Sequence, residues 1–141
     1  MQWNRQSFSG FSTSTPWLPV NPDYITRNVQ TQQSDPTSLL NWYRQLIKLR
    51  RDLPSLQSGI FQPVTYEPRQ LLAYLRQTDD QSVLVILNFG HRPTQLFLGG
   101  ALLRTGWSLL ASSKLNRTEI KIRSGKLSVN GQEALLLLNQ A

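Results

Sequence analysis

Side chains capable of nucleophilic or metal chemistry are few in this chain. It has one histidine and no cysteine, so thiolate metal sites are excluded and a catalytic triad would have to use His91. His91 follows an apolar run and precedes Arg92-Pro93, a pattern typical of a solvated turn. Gly99-Gly100 is a plain loop pair, and Ser9 lacks the glycine spacing of a nucleophile elbow. The sequence therefore predicts no cofactor site and no metal site.

Carboxylates could supply general acid–base chemistry, which needs two of them in suitable positions. Asp35 is expected to cap a helix, Asp79-Asp80 to lie in a polar loop, and Glu119 and Glu133 to occupy alternating strand positions. We therefore predict no catalytic residue among the eight carboxylates, which are Asp23, Asp35, Asp52, Glu67, Asp79, Asp80, Glu119 and Glu133.

Length and charge limit the possible functions. The chain has 141 residues, enough for one domain or for a small domain with an appendage, whereas a (β/α)8 barrel needs about 250. The net charge of +7 raises the question of nucleic acid. However, the basic residues are scattered, and the one cluster, 48–51, falls where cations favour a helix C-terminus. We expect no nucleic-acid or membrane partner and, with cysteine absent, a cytoplasmic location.

The first part of the chain is predicted to be irregular, with one helix after it. Residues 1–34 show no helical or strand period, and prolines 16, 19 and 22 favour extended backbone. A helix is predicted over 36–51, with Asp35 as N-cap and Pro36 at its first position. Leu53-Pro54 should end it, because a residue before proline avoids the α region.

Beyond Gly59, short apolar runs separated by turn residues predict an all-β domain of two packed antiparallel sheets. Two runs, 83–87 and 135–138, are continuously apolar, as central strands covered on both faces are. The run 119–123 alternates, so that its two isoleucines should face inward. Asn130-Gly131 predicts a turn, as does 78–81. The predicted strands are 60–66, 70–77, 83–88, 94–98, 107–112, 119–123, 126–129 and 133–139.

A series of short motifs runs through the first half in a fixed order. They are 1–4 (MQWN), 9–12 (SGFS), 16–24 (PWLPVNPDY), 28–30 (NVQ), 35–38 (DPTS) and 43–51 (YRQLIKLRR). This order resembles the C-terminal portion of α-glucosidase-type members of glycoside hydrolase family 13, the α-amylase superfamily, such as oligo-1,6-glucosidases and sucrose isomerases. Residues 72–76, 83–89 and 133–138 resemble strands of the same family's C-terminal domain.

The resemblance implies a fold and a role. Residues 1–56 would be the terminal piece of a catalytic (β/α)8 barrel, and 57–141 an antiparallel Greek-key β-sandwich. Such enzymes cleave or rearrange α-glucosidic bonds with retention, using carboxylates that the resemblance places on barrel strands upstream of Met1. This chain alone would then be inactive and structural, with the catalytic barrel as its partner.

The same resemblance places the loop from Met1 near a substrate entrance. Exposed aromatics stack on sugar rings. Five residues are therefore predicted to line the rim of the substrate entrance and to contact an α-glucan, and we call them the rim residues: Trp3, Asn4, Arg5, Phe8 and Trp17. The alternative is that these aromatics only tie the loop to the barrel. The family commonly has Asp where Asn4 stands and Ala where Ser9 stands, so this chain departs from the family at two positions of the loop.

Two further expectations stay open. The β domain could be a free-standing carbohydrate-binding module, although most of its aromatics fall in predicted strands. In the isolated chain, the wide apolar face of the helix should either be covered by residues 1–34 or form a homo-oligomer, because exposed apolar patches associate.

Overall fold

The computed structural model describes residues 1–64, 70–104 and 106–140. The chain divides into two compact units, Met1–Lys48 and Leu49–Ala141. The helices are α1 (Val29–Ser34), α2 (Leu39–Asp52), α3 (Pro54–Ser58) and α4 (Ala101–Arg104), and 3₁₀ turns occur at Ser7–Gly10 and Pro22–Ile25. The strands are β1 (Ile60–Val64), β2 (Leu71–Gln77), β3 (Gln81–Asn88), β4 (Thr94–Phe97), β5 (Ser108–Ser112), β6 (Ile122–Arg123), β7 (Lys126–Val129) and β8 (Glu133–Gln140).

The N-terminal unit is more regular than its sequence suggests. The prediction of irregular structure throughout 1–34 is wrong, since α1 and the two 3₁₀ turns lie there. Asn28 begins α1: its side chain accepts a hydrogen bond from the Thr31 N–H at 2.8 Å and donates to the Tyr24 carbonyl at 2.8 Å. An N-cap of this kind satisfies a donor that a helix start leaves unpaired.

Helix α2 begins three residues later than the sequence predicts. Asp35 is not its N-cap; instead the Asp35 carboxylate accepts from the N–H and hydroxyl of Thr37, at 2.8 and 2.7 Å. Ser38 caps the helix, its Oγ accepting from the Asn41 N–H at 3.3 Å. The predicted stop before Pro54 is confirmed, but Pro54 also starts α3, because proline fits the first turn of a helix.

One face of α2 is unpartnered within the N-terminal unit. Leu39, Tyr43 and Ile47, each four residues apart, are 58–66% exposed. Residues four apart lie on the same face of a helix, so these three form an exposed apolar stripe. Residues 1–34 therefore do not cover this face, contrary to one of the two expectations for the isolated chain.

The β unit contains two antiparallel sheets. The larger has the strand order β1-β2-β3-β8-β5, and the smaller has the order β4-β7-β6. Strands β3 and β8 lie inside the larger sheet, as their continuous apolar runs predict, and pair from Gln81↔Gln140 to Asn88↔Glu133. Every strand pairing that the structure describes is antiparallel.

Both sheets contribute to one hydrophobic core. The larger supplies the inward-facing residues of β2, β3 and β8, and the smaller supplies Leu96, Leu127 and Val129. Ile120 and Ile122 pack against this core, which confirms the inward isoleucines predicted from alternation. The core residues are Val64, Leu71, Ala73, Leu75, Leu84, Ile86, Leu96, Leu98, Leu127, Val129, Leu135 and Leu137.

Each of the eight predicted strands has an observed counterpart, with shifted ends. The largest error is the strand predicted over 119–123, which is only Ile122–Arg123. The end predicted for β1 at 65–66 lies outside the described residues, as does Glu67. The 78–81 turn forms, with the Thr78 N–H donating to the Gln81 carbonyl at 2.9 Å. The turn predicted at 130–131 lies one residue later, at Gly131 and Gln132, and it links β7 and β8, which belong to different sheets.

Helix α3 is held on the β2–β3 hairpin by polar contacts. The fully buried Ser55 donates its hydroxyl to Gln81 Oε1 at 2.7 Å. Gly59 is needed just after α3, because a Cβ there would lie 2.4 Å from the Ser55 carbonyl oxygen. The start of the β unit is therefore fixed to its larger sheet. Among the described residues, no helix is long and apolar enough to cross a membrane.

Candidate functional site

The predicted rim residues Trp3, Asn4, Arg5 and Phe8 are brought together in one turn. The N–H groups of Trp3 and Asn4 both donate to the Ser9 carbonyl, at 2.9 and 3.2 Å. Asn4 Oδ1 accepts from the Gln6 N–H at 2.9 Å. The turn closes on itself through backbone bonds, which fixes its four rim residues relative to one another.

This turn has an unusual backbone. Phe8, Ser9 and Gly10 have φ angles of 55°, 59° and 63°, a left-handed region that non-glycine residues rarely adopt. A Cβ at Gly10 would lie 2.4 Å from Asn4 Nδ2, so the Asn4 side chain fits only against glycine. The Ser9 Oγ is buried and has no hydrogen-bond partner among the described residues. Strain of this kind persists only where the surroundings fix the conformation.

The turn is attached to the start of α1. The N–H groups of Val29 and Gln30 donate to the carbonyls of Gln2 and Trp3, each at 2.9 Å. Arg5 Nη2 reaches Thr31 Oγ1 at 3.5 Å. The two backbone bonds use N–H groups of the first helical turn that have no partner within the helix. The rim turn and α1 are thus one hydrogen-bonded assembly.

The rim residues differ in exposure. Trp17 is 91% exposed and Trp3 is 48% exposed, whereas Phe8 is half-buried. No described hydrogen bond links Trp17 to the turn. The structure therefore assembles four of the five predicted residues and leaves Trp17 as a separate, solvent-facing indole. Aromatic surface of this kind can stack on an apolar ring face while neighbouring amides form hydrogen bonds.

The carboxylates show no arrangement suited to acid–base work among the described residues. Asp23 accepts from Gln2 Nε2 at 2.7 Å and lies 3.7 Å from Arg27. Asp79 and Asp80 are exposed in the hairpin loop, as predicted. No group of three or more metal-ligating side chains occurs in the part of the chain described. His91 is exposed in its turn, also as predicted.

One carboxylate, Glu133, has an environment that the sequence did not indicate. It is 1% exposed, and its Oε2 accepts from Arg117 Nη1 at 2.8 Å and from the Asn130 N–H at 2.6 Å. Its Oε1 accepts from the Ser112 hydroxyl at 2.9 Å. Arg117 also donates from Nη2 to the Ser128 carbonyl at 2.8 Å.

This buried network joins parts of both sheets. Ser112 and Glu133 end and begin neighbouring strands of the larger sheet, and Ser128 lies in the smaller one. A buried charge is tolerated when it is paired and hydrogen-bonded. Because the three hydrogen bonds that Glu133 accepts all come from the protein itself, we assign the network a structural role.

The chain is similar in sequence to enzymes of one family. Residues 1–59 match the family model for the α-amylase catalytic domain. The chain is 42% identical over 89 residues to a probable oligo-1,6-glucosidase 2 of Bacillus subtilis, covering 63% of this chain and 16% of that protein. It is 37% identical over 94 residues to an oligo-1,6-glucosidase of Halalkalibacterium halodurans, covering 67% and 17%.

Solved structures match nearly the whole chain. A trehalose-6-phosphate hydrolase of Bacillus licheniformis superposes with a TM-score of 0.83 at 26% identity, over 99% of this chain and 25% of that one. A trehalulose synthase of Pseudomonas mesoacidophila gives 0.81 at 27%, over 99% and 24%. The predicted resemblance to family 13 α-glucosidase-type enzymes is therefore confirmed, over a part of their length. The chain spans about a sixth of the length of the curated relatives it matches.

Proposed function

We propose that this chain is the C-terminal portion of an α-glucosidase-type enzyme that acts on α-glucosidic bonds with retention. The observation that carries the proposal is the match to a solved hydrolase over 99% of this chain but only 25% of the hydrolase. The family model match over 1–59 supports it independently. The catalytic carboxylates would then come from another part of the enzyme's chain.

In this proposal the two regions have different structural roles. Residues 1–56 complete a catalytic (β/α)8 barrel, with α2 in the outer helical ring, and 57–141 form a C-terminal Greek-key sandwich. The exposed Leu39, Tyr43 and Ile47 support a role of α2 against a partner, since an apolar stripe of this kind needs cover. The contribution of both sheets to one core supports the sandwich.

The proposal is tested in the source cells. An antibody against this chain should capture a polypeptide several times heavier than 16.1 kDa that hydrolyses or isomerises an α-glucoside. The purified 141-residue chain should show no activity on the same substrates. Capture of a stable product of 16.1 kDa only, or a measurable rate from the purified chain, would overturn it.

We also propose that Trp3, Asn4, Arg5, Phe8 and Trp17 line the substrate entrance of that enzyme. The support is the fixed turn that holds the first four and the near-complete exposure of Trp17. In the enzyme containing this sequence, Trp17→Ala should raise KM for an α-glucoside with kcat little changed, because a rim contact holds substrate and transition state alike. Phe89→Ala, also at an exposed aromatic, is the matched control. Equal KM values for both variants would contradict the rim.

The isolated chain should self-associate through the stripe on α2. The support is the exposure of Leu39, Tyr43 and Ile47, which nothing else in Met1–Lys48 covers. Sedimentation should show an oligomer, which Ile47→Gln weakens. A strict monomer at high concentration would contradict this expectation.

The absence of cysteine supports a cytoplasmic location for the enzyme.

A further inference from the structure

An open cavity at one end of the β unit has a lining that no role described so far explains. Its volume is about 530 Å³, within the range of about 300–1,000 Å³ that is usual for small-molecule sites. Its wall includes three polar side chains, Gln62, Gln77 and Ser82, and two aromatic residues, Phe97 and Trp107. All these residues belong to the β unit.

The polar residues lie on the inward face of the larger sheet. Side chains alternate along a strand, so Gln62 shares a face with Val64, Gln77 with Leu75, and Ser82 with Leu84. Those three neighbours belong to the hydrophobic core. Gln77 and Ser82 are direct cross-strand partners, and Gln62 pairs with Leu75, one inward position away. The inward face therefore changes from apolar to polar at this end of the sheet.

The described part of the fold does not use these polar side chains. The side chains of Gln62, Gln77 and Ser82 form no hydrogen bond with the described residues, whereas Gln81 nearby holds Ser55. Two primary amides and a hydroxyl together offer both donors and acceptors. They are thus available to a ligand that carries both kinds of group.

The aromatic side of the cavity is firmly held. Trp107 packs against the core and donates its indole N–H to the Leu102 carbonyl at 2.9 Å. With that donor satisfied, the indole offers the cavity apolar surface. Phe97 is 66% exposed and adds a second apolar ring. An adjoining cavity of similar size shares Gln62 and Gln77 in its wall and continues the surface along β1.

We propose that this cavity binds a short neutral oligosaccharide. A pyranose has an apolar face for the aromatic rings and hydroxyls that both donate to and accept from amides. The lining residues in the described part of the chain are all uncharged, which favours a neutral ligand over a phosphate or nucleic acid. The cavity is formed by residues of the β unit, whereas the rim residues all belong to the N-terminal unit. Among oligosaccharides we expect α-glucans, and this expectation rests on the proposed function.

The test is a titration of the 141-residue chain with isomaltotriose, maltotriose and, as a differently linked sugar, cellotriose. Binding is followed by calorimetry and by Trp fluorescence. At least one of the three should bind saturably in the millimolar range. Absence of saturable binding to all three would overturn the proposal.

Variants locate the binding. Phe97→Ala and Gln62→Ala should each weaken it about fivefold or more, as expected when one ordinary contact is lost. Phe89→Ala and Gln95→Ala are matched controls, since Phe89 is also 66% exposed and neither residue lines this cavity. Equal weakening by test and control variants would overturn the assignment. Circular dichroism confirms that each variant is folded.

The result is separable from the proposed function. Loss of oligosaccharide binding would leave the mass and activity of the captured enzyme unchanged. Conversely, a captured product of 16.1 kDa without activity would overturn the glucosidase proposal, whether or not the cavity binds a sugar. A preference for cellotriose would support the cavity and contradict the choice of α-glucans.

Discussion

The two units of the chain are stabilised in opposite ways. In Met1–Lys48, all of which the structure describes, the buried residues are polar: Ser9, Asn28 and Ser38. In Leu49–Ala141 the buried set includes a hydrophobic core of twelve residues. Large apolar side chains of the first unit, Trp17 and Ile47 among them, are instead exposed. The first unit is held by hydrogen bonds, the second by burial of apolar surface.

This difference bears on the proposal that the first unit is completed by the rest of a larger enzyme. Burial of apolar surface is the main favourable term in folding, whereas a hydrogen bond contributes a net of about 1 kcal/mol. A unit without buried apolar side chains therefore lacks the usual source of stability. That is the expectation for a segment whose apolar residues are completed by the rest of a larger enzyme, and it agrees with the family match over 1–59.

The largest effect is expected at the buried ion pair of the β unit. Arg117→Met removes the cation that faces the buried Glu133, which should cost about 3–5 kcal/mol of unfolding free energy. The control is Lys121→Met, which removes the exposed Lys121–Glu119 pair. Both pairs have an N–O distance of 2.8 Å, but the Arg117–Glu133 pair is buried and the Lys121–Glu119 pair is exposed. Urea unfolding measures both variants, and the control should be indistinguishable from the original chain.

Equal losses in the two ion-pair variants would contradict this account of Glu133. A double variant tests whether the carboxylate left without its partner causes the loss of stability. Arg117→Met combined with Glu133→Gln removes the unpaired charge, so the double variant should be more stable than Arg117→Met alone.

The next largest effect is expected when a large apolar side chain is truncated, and the loss of stability should differ between the two units. Leu137→Ala, at a position with 0% exposure in the central strand β8, should cost about 2–5 kcal/mol. Ile47→Ala, at a position 63% exposed, should change stability by less than about 0.5 kcal/mol in the isolated chain. Urea unfolding of monomeric samples measures both. A large loss at Ile47 would show that the N-terminal unit has a core of its own.

The sequence predicted the β unit better than the N-terminal unit for a related reason. Alternation and continuous apolar runs record which face of each strand is buried, so β3 and β8 could be placed from 83–87 and 135–138. Helix α1 (VQTQQS) has no apolar period. It depends on Asn28 and on backbone hydrogen bonds that its first residues donate to the carbonyls of Gln2 and Trp3. Such contacts with distant residues leave no local pattern.

The start of α2 and the ion pair escaped prediction for similar reasons. Asp35 and Ser38 are both acceptable N-caps, and only the structure shows that Thr37 engages Asp35. Glu133 reads as one polar position before an apolar run, whereas its partner Arg117 lies sixteen residues away outside any strand. In the rim, the turn that joins Trp3 to Phe8 depends on three consecutive positive φ angles, and only Gly10 indicates one of these.

Removal of a cap should loosen the N-terminal unit alone. Asn28→Ala removes the bonds to the Thr31 N–H and the Tyr24 carbonyl, and such a cap contributes about 0.5–2 kcal/mol. Amide exchange should accelerate in α1 and leave the strands of the β unit unchanged. Asn116→Ala, an exposed asparagine of the β unit, is the control. Faster exchange throughout the chain would mean that the two units unfold together.

The smallest effect is expected from pH at Asp35. The side-chain and backbone hydrogen bonds from Thr37 lower the pKa of this carboxyl below its ordinary value. A carboxyl with a lowered folded pKa stabilises the fold above its unfolded pKa of about 3.9, and the contribution is lost as pH falls through the folded value. Asp35→Asn should therefore reduce the protection of 35–38 amides slightly at pH 7 and not at all once the pH is below the folded pKa. Because Asp35 is fully exposed, salt should also diminish the difference. A difference between variant and original that grows as the pH falls would contradict the assignment, since it would require a raised pKa.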